Sequence, residues 1–147
     1  DTNLRLKLWP LARARAISAA TVPQCDILLP SLEDAEALTG LSDPNAIIDH
    51  YLTAGAQLVV LKMGKAGAIL ATPDNRDPVP GRVVQAVDAT GAGDTFDGAF
   101  LARLLAGDAP LEAARFANAA AALSTTGVGA VAPMPTEAAV RDFLRAP

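Results

Sequence analysis

Residues 88–100 read DATGAGDTFDGAF, which places three carboxylates beside bare glycine backbone. The apolar run RVVQAV directly before them is typical of a strand, and the spacing of Phe96, Phe100 and Leu104 is typical of a helix. We therefore expect a loop that enters a helix near Gly93. A strand that leads into a helix through a glycine turn indicates an α/β fold.

The two glycines of this turn, Gly91 and Gly93, predict an anion site. They let the backbone turn sharply, and without side chains a ligand can approach the N–H groups. The first N–H groups of a helix have no partner within the helix and carry a partial positive charge. Backbone alone can therefore hold a phosphate here, even in a chain of net charge −4.

Asp94 follows these glycines in the first helical turn, where its charged form is favoured. A carboxylate beside a bound phosphoryl group can accept the proton of an alcohol while the amides stabilise the developing charge. That combination predicts phosphoryl transfer. An aspartate at this position equally well complements the helix dipole, and spacing alone leaves both interpretations open.

Two other phosphate-binding motifs do not match. A dinucleotide fingerprint needs glycine at position 96, after Gly91 and Gly93, and Phe96 stands there. A Walker A loop needs Gly-Lys followed by Ser or Thr, and the stretch MGKAGA has Ala66 at that point.

Composition limits the class of protein. The chain has 147 residues, 51% hydrophobic and 19% charged, which favours one compact domain. Its acidic balance argues against nucleic acid and membrane partners. The one cysteine, Cys25, fits a reducing compartment. The sequence contains no apolar run long enough to predict a membrane span. We therefore expect a cytoplasmic protein.

The rest of the chain alternates helical and strand patterns. Ser31 is expected to cap a helix that ends at Gly40, with Asp34 completing a capping-box pair. Consecutive strands in the middle predict an antiparallel edge on a mainly parallel sheet. Helices are predicted over 10–20, 31–40, 44–55, 94–106, 110–125 and 136–145, and strands over 25–30, 56–64, 65–72 and 81–88.

The stretch DATGAGDTF closely resembles the C-terminal signature of the ribokinase-like (pfkB) sugar kinases. LLPSLEDAEALTG, VVLKMGKAGA, FANAAAALSTTGVGA and APMPT resemble further stretches of that family in the same order. The resemblance implies a layered αβα ribokinase-like fold, with residues 1–147 as its C-terminal nucleotide-binding half and with the N-terminal half and lid absent. GAGDTFDGAF and DTNLRLKLW are most similar to the 2-keto-3-deoxygluconate kinase branch, although fructokinases share the Asp-x-Asn-x-Arg pattern.

The resemblance implies a role for each matching residue. Asp94 would be the catalytic base, and Gly91, Ala92 and Gly93 would form the anion hole. In some members a monovalent cation such as K⁺ is held at positions that match Asp88 and Thr90, near the STTGVGA loop. The nucleotide-binding residues would be Lys62, Gly64, Lys65, Gly67 and Asn118.

Acceptor and magnesium positions follow from the same resemblance. Asn3 and Arg5 match residues near the acceptor sugar, and a guanidinium suits the carboxylate of a sugar acid. Ser31 and Asp34 stand where many members have Asn and Glu in the motif linked to Mg²⁺. Asp34 can order metal-bound water, and it can equally serve only as a helix-capping acid.

The expected activity is ATP-dependent phosphorylation of a primary hydroxyl of a keto-deoxy sugar acid. Fructokinase or another hexose kinase activity is the alternative within the class, and a nucleotide-binding module without turnover is the alternative outside it. We expect the chain by itself to bind adenine nucleotide weakly and to be inactive. An exposed sheet edge predicts self-association into a homo-oligomer.

Overall fold

The structure is a computed structural model, and it describes residues 1–145. Contacts divide the chain into two compact units. The first contains Asp1–Met63 and Ile69–Asp77, and the second contains Gly64–Ala68 and the residues from Pro78 onward. The division runs through two strands, which is why no linker or change of composition marks it in the sequence.

The first unit forms helices where the sequence provides caps. The Ser31 side chain accepts a hydrogen bond from the Asp34 N–H, and the Asp43 side chain accepts one from the Ala46 N–H. Gly40 ends its helix with φ of 77°. The elements are α1 Leu11–Thr21, β1 Ile27–Leu28, α2 Leu32–Thr39, α3 Pro44–Thr53 and β2 Leu58–Lys62.

One four-stranded sheet has the order β1-β2-β3-β4, where β3 is Gly67–Ala71 and β4 is Arg76–Pro80. β1 and β2 are parallel, with Ile27 opposite Leu58. The connections from β2 to β3 and from β3 to β4 are too short for parallel crossovers, so these pairs are antiparallel. The antiparallel edge is confirmed, but only one parallel pair accompanies it.

The strand predicted over 81–88 is wrong. β4 lies before it, at Arg76–Pro80, and contains two prolines. Prolines are tolerated on an edge strand, because the missing N–H can face away from the ladder. Residues 81–86 have no strand partner among the described residues, and Val83 is 97% exposed.

The core of the first unit lies between α3 and the sheet. Ile47, Ile48 and Tyr51 of α3 are buried in one cluster with Val59 and Leu61 of β2. The continuous apolar run of β2 is what a strand covered on both faces requires. This packing fixes the carboxyl ends of β1 and β2, where the first group of predicted site residues lies.

The second unit contains three helices: α4 Ala92–Leu105, α5 Pro110–Ser124 and α6 Glu137–Arg145. Alanines let the helices approach closely, since Ala119 and Ala120 of α5 are buried in one cluster with Val140 of α6. Phe96 and Phe100 stack on the inner face of α4, with ring centroids 6.2 Å apart. None of the described helices is long and apolar enough to cross a membrane.

Candidate active site

The glycine turn has the geometry that the sequence predicts. α4 begins at Ala92, and Gly91 is its N-cap with φ of 75°, in the left-handed region. A Cβ at Gly91 would lie 2.8 Å from the Ala130 Cβ, closer than side chains pack. Both the backbone angle and the close approach therefore require glycine at this position.

Two N–H groups of this turn remain available to a ligand. The Ala92 N–H donates to the Ala89 carbonyl at 3.1 Å, and the Thr95 N–H donates to the Gly91 carbonyl at 2.9 Å. Between them, the N–H groups of Gly93 and Asp94 have no acceptor within the part of the chain that the structure describes. Both residues are exposed, so an anion can reach these donors and the positive end of the helix dipole.

The Asp94 side chain is exposed in the first turn of α4. Across residues 1–145 it makes no hydrogen bond and no ion pair. It therefore does not cap the helix through a hydrogen bond, and its charge lies near the positive end of the helix dipole. Asp94 instead remains open to a hydroxyl group brought by a ligand.

Asp88 connects two loops of the second unit. Its Oδ1 accepts hydrogen bonds from the Thr90 N–H and hydroxyl at 2.9 and 2.7 Å, and its Oδ2 accepts one from the Gly129 N–H at 2.8 Å. These bonds lower the pKa of Asp88, the Thr90 hydroxyl contributing most and the two N–H groups less. A charged Asp88 thus holds the loop around Gly129 beside the glycine turn.

Asn118 lies on the buried side of α5 and is 8% exposed. Its Nδ2 donates to the carbonyls of Val79 and Pro80, each at 3.0 Å. The amide therefore fixes the end of β4 against α5. This contact is structural, and it positions the neighbouring backbone rather than offering the amide N–H groups to a ligand.

The predicted nucleotide turn is a short 3₁₀ turn, Gly64–Ala66. Gly67 has φ of 102°, and a Cβ there would lie 2.0 Å from the Val79 carbonyl oxygen. The Lys65 side chain is exposed and has no hydrogen bond or ion pair with any residue that the structure describes. Gly64 has open space around it, so this turn can approach a ligand.

The remaining predicted residues lie in the first unit. Ser31 caps α2, and it forms a parallel bridge with Lys62 at the carboxyl ends of β1 and β2. Lys62 pairs with the Asp1 carboxylate at 3.3 Å. Asn3 and Arg5 are exposed on the amino-terminal segment, which Asp34 holds through hydrogen bonds.

Asp34 holds the amino-terminal segment, and the magnesium-linked role expected of it stays a prediction. Its Oδ2 already accepts hydrogen bonds from the Leu4 N–H at 2.9 Å and the Thr2 hydroxyl at 3.3 Å. Within residues 1–145, no group of three or more His, Cys, Asp or Glu residues could hold a metal ion. A Mg²⁺ ion that arrives with ATP needs fewer protein ligands, because phosphates and waters supply most of its coordination.

A groove of about 590 Å³ lies elsewhere in the second unit. It contains no predicted site residue, and the ion pairs Arg115–Glu112 and Arg141–Glu137 neutralise much of its lining.

Local sequence patterns did not predict several hydrogen bonds that join residues of different elements. One is the bond from Gly129 to Asp88, although the loop that contains Gly129 was noted. Another is a network in which Arg103 donates to both oxygens of Asp108, at 2.6 and 2.9 Å, and to Glu137 at 3.1 Å. These partners belong to different elements, and no local spacing predicts them.

Comparison with known proteins identifies the family. Residues 1–137 match the pfkB family of carbohydrate kinases. This chain is a pfkB carbohydrate kinase family member. The 2-dehydro-3-deoxygluconokinase of Bacillus subtilis strain 168 is 34% identical, over 99% of this chain and 46% of the relative. The chain spans about half the length of the curated relatives it matches.

Solved structures of pfkB-like kinases give the fold. The fructokinase of Vibrio cholerae O395, bound to fructose, ADP and a calcium ion, has a TM-score of 0.90 and 33% identity over 97% of this chain and 49% of its own. The aminoimidazole riboside kinase of Salmonella enterica, complexed with aminoimidazole riboside and an ATP analog, also has a TM-score of 0.90. It is 28% identical over 98% of this chain and 50% of its own. The fold is therefore the ribokinase-like α/β fold.

Proposed function

We propose that this chain takes part in ATP-dependent phosphorylation of a primary hydroxyl of a keto-deoxy sugar acid, as a 2-dehydro-3-deoxygluconokinase. The observation that carries the proposal is the turn at Gly91–Asp94. There, two N–H groups lie next to an exposed carboxylate, and none of the three has a partner among residues 1–145. Membership of a carbohydrate kinase family and the similarity to a riboside kinase bound to an ATP analog support a sugar and ATP as its substrates.

In the proposed reaction, the γ-phosphoryl group of ATP is bound at the N–H groups of Gly93 and Asp94. The Asp94 carboxylate accepts the proton of the acceptor hydroxyl, and the hydroxyl oxygen forms a bond to phosphorus. The bond from phosphorus to the bridging oxygen breaks, and ADP leaves. Because little covalent work falls to the protein, positioning and charge stabilisation provide most of the rate.

The amino-terminal segment supports a sugar acid as the acceptor. Arg5 is exposed, and its guanidinium contacts only the carbonyl of Leu4 among the described residues. Such a group can pair with a carboxylate through two parallel hydrogen bonds. A sugar without a carboxylate would leave that pairing unused.

Metal ions play a supporting role in the proposal. A divalent cation bound to the ATP phosphates neutralises charge that develops during transfer. Asp88 and Thr90 could contribute oxygen atoms to a monovalent cation such as K⁺, although both are already linked to each other. Lys65, Gly64, Gly67 and the backbone that Asn118 fixes are the proposed nucleotide contacts, and no step is assigned to them.

A coupled assay that measures ADP release tests the proposal. The native gene product that carries these residues is supplied with ATP and with 2-dehydro-3-deoxygluconate, fructose or ribose in turn. The expected result is the highest kcat/KM with the sugar acid. A higher kcat/KM with fructose would favour the second candidate, fructokinase, which the structural similarity to the fructose-bound enzyme also supports.

Arg5 separates these two candidates. Arg5→Gln keeps a polar side chain but removes the positive charge and the bidentate pair of N–H donors. With a sugar acid, kcat/KM should fall by about 10-fold or more, the scale of one lost charge-assisted hydrogen bond. With fructose it should change little. Equal losses with both acceptors would contradict carboxylate recognition by Arg5.

We also propose that residues 1–147 supply the nucleotide-binding half of the kinase, since the matched relatives are about twice as long. On this basis the 147-residue chain alone should bind adenine nucleotide weakly without sugar-dependent ADP release. Robust turnover by the chain alone would contradict this part of the proposal. Binding with no turnover in the native gene product would favour the module without activity.

A further inference from the structure

The amino-terminal segment, residues 1–5, is held at two points by side chains distant in sequence. Asp34 Oδ2 accepts the Leu4 N–H at 2.9 Å and the Thr2 hydroxyl at 3.3 Å. At the other end, Lys62 pairs with Asp1 at 3.3 Å. All these residues belong to the first unit.

Both anchors lie at the carboxyl end of the parallel pair β1 and β2. Lys62 is the last residue of β2, and its N–H donates to the Pro30 carbonyl just after β1. Asp34 lies in the first turn of α2, whose N-cap, Ser31, directly follows Pro30. In α/β sheets, ligands bind outside the carboxyl ends of parallel strands. The segment is therefore held where such a fold places ligands.

Burial along the segment alternates. Thr2 and Leu4, which contact Asp34, are half-buried, whereas Asn3 and Arg5 are exposed. Asn3 has φ of 37°, and it is the one non-glycine residue with positive φ that the structure describes. Sparsely populated backbone angles persist only where the surroundings hold them, and they gather at functional sites.

A buried tyrosine lies near enough to Asp34 for the carboxylate charge to act on it. Tyr51 is 2% exposed, and its hydroxyl has no hydrogen-bond partner among the described residues. Burial raises the pKa of Tyr51 to about 12, and the negative charge of Asp34 adds to the rise.

From these contacts we infer that Asp34 is a positioning residue: its carboxylate holds residues 2–4 so that Asn3 and Arg5 are presented to the acceptor. The inference rests on the proposed kinase function for the acceptor, but the anchoring itself does not. It assigns Asp34 a different task from the magnesium role that the family resemblance implied. Lys62 is the second, weaker anchor, because its pair with Asp1 is partly exposed.

Two substitutions of Asp34 separate positioning from metal binding. Asp34→Asn keeps an oxygen that can accept the Leu4 and Thr2 hydrogen bonds, but it removes the charge a metal needs. Asp34→Ala removes the acceptor as well. The matched control is Glu33→Ala, which removes an exposed acid from the same helical turn without touching the segment.

Hydrogen exchange of the peptide that contains Leu4, measured on the native gene product, reports the anchor without any activity. Asp34→Ala should lose protection there, while Asp34→Asn and Glu33→Ala should keep it. Unchanged exchange in Asp34→Ala, or an equal loss in Glu33→Ala, would overturn the inference. This readout stands even if the proposed kinase reaction is absent.

Steady-state kinetics then test the consequence. Asp34→Ala should raise the acceptor KM or lower kcat/KM for the acceptor by about 10-fold or more, since small misplacements of positioning groups can cost about 100-fold. The KM for ATP and the Mg²⁺ concentration for half-maximal rate should stay unchanged, and Asp34→Asn should restore acceptor use. A shifted Mg²⁺ requirement in Asp34→Asn would instead assign the residue to the metal. Lost protection with unchanged acceptor kinetics would also overturn the inference.

Discussion

The glycine turn and the amino-terminal segment present functional groups in opposite ways. At Gly91–Asp94 the backbone leaves its donors unpaired, and the Asp94 carboxylate has no partner in the described part of the chain. In residues 1–5 the Thr2 hydroxyl and the Leu4 N–H are paired with Asp34, whereas Asn3 and Arg5 remain exposed. The glycine turn can bind a ligand because two of its N–H donors have no backbone acceptor. The amino-terminal segment can contact a ligand because side chains of other elements hold it in place.

The difference shows which kind of site a short sequence motif can predict. A helix terminus provides its unpaired donors wherever it forms, so its chemistry depends on local sequence. An anchored segment depends on residues far along the chain, here Asp34 and Lys62. Four sets of substitutions can break or sharpen this comparison.

The largest expected effect is at Asp94. Asp94→Asn keeps the size of the side chain but cannot take a proton, so kcat of the native gene product should fall by about 100-fold or more. ATP binding, measured by calorimetry, should stay nearly intact, because the backbone donors remain. Glu112→Gln, the same change in the first turn of α5, is the control and should leave kcat unaltered.

A different result at Asp94 would end the contrast between the two regions. If kcat is unchanged and the KM for ATP rises, Asp94 serves nucleotide binding alone. The glycine turn would then be a binding surface rather than a catalytic one.

Gly91 and Gly98 test the backbone origin of the first region. Gly91→Ala requires alanine to adopt a left-handed backbone conformation, and it places a Cβ too close to Ala130. The free energy of unfolding should therefore fall by about 1–3 kcal/mol. Gly98→Ala, in the middle of the same helix with open space around it, should stabilise by about 0.5–1 kcal/mol. Urea denaturation measures both, and equal effects would contradict the assigned geometry.

Low pH should destabilise the second unit, because it protonates Asp108 and Glu137, which pair with Arg103. Arg103 lowers the pKa of Asp108, and Arg141 with Arg103 lowers that of Glu137. Since both folded pKa values lie below the unfolded values of about 4, the stabilisation is present above pH 4 and is lost as pH falls through the folded values. Arg103→Met should flatten this acid dependence of the thermal midpoint.

The pH profile of the variant decides whether the network matters. A wild-type profile between pH 5 and 2 in Arg103→Met would show that other carboxylates carry the acid sensitivity. The first unit does not contain this network, so probes within it report whether the loss of structure is confined to the second.

The smallest effect is expected at Tyr51. Tyr51→Phe removes a buried hydroxyl without a partner, so it should be neutral or stabilising by up to about 1 kcal/mol. Thermal unfolding measures the change, and Thr53→Ala, at an exposed position of the same helix, is the control. A clear destabilisation would contradict the absence of a stabilising contact at this hydroxyl.

Most helices were predictable because their boundaries are encoded locally. Ser31, Asp43 and Gly40 mark caps through their own side chains or backbone freedom, and α2 and α3 begin and end accordingly. The strand at Arg76–Pro80 was missed because ladder pairing, not apolar content, decides which extended segment becomes a strand. The run RVVQAV is apolar but finds no strand partner among the described residues.

The sequence by itself determined the glycine turn, the position of Asp94 at a helix start and the family of carbohydrate kinases, because each depends on residues adjacent in the chain. Only the tertiary structure decided what Asp34 contacts, that Asn118 fixes β4, and that Gly129 bonds Asp88. These contacts join residues some 30 to 40 positions apart. Their geometry depends on how whole helices and strands pack together, and the spacing of residues along the chain does not predict that packing.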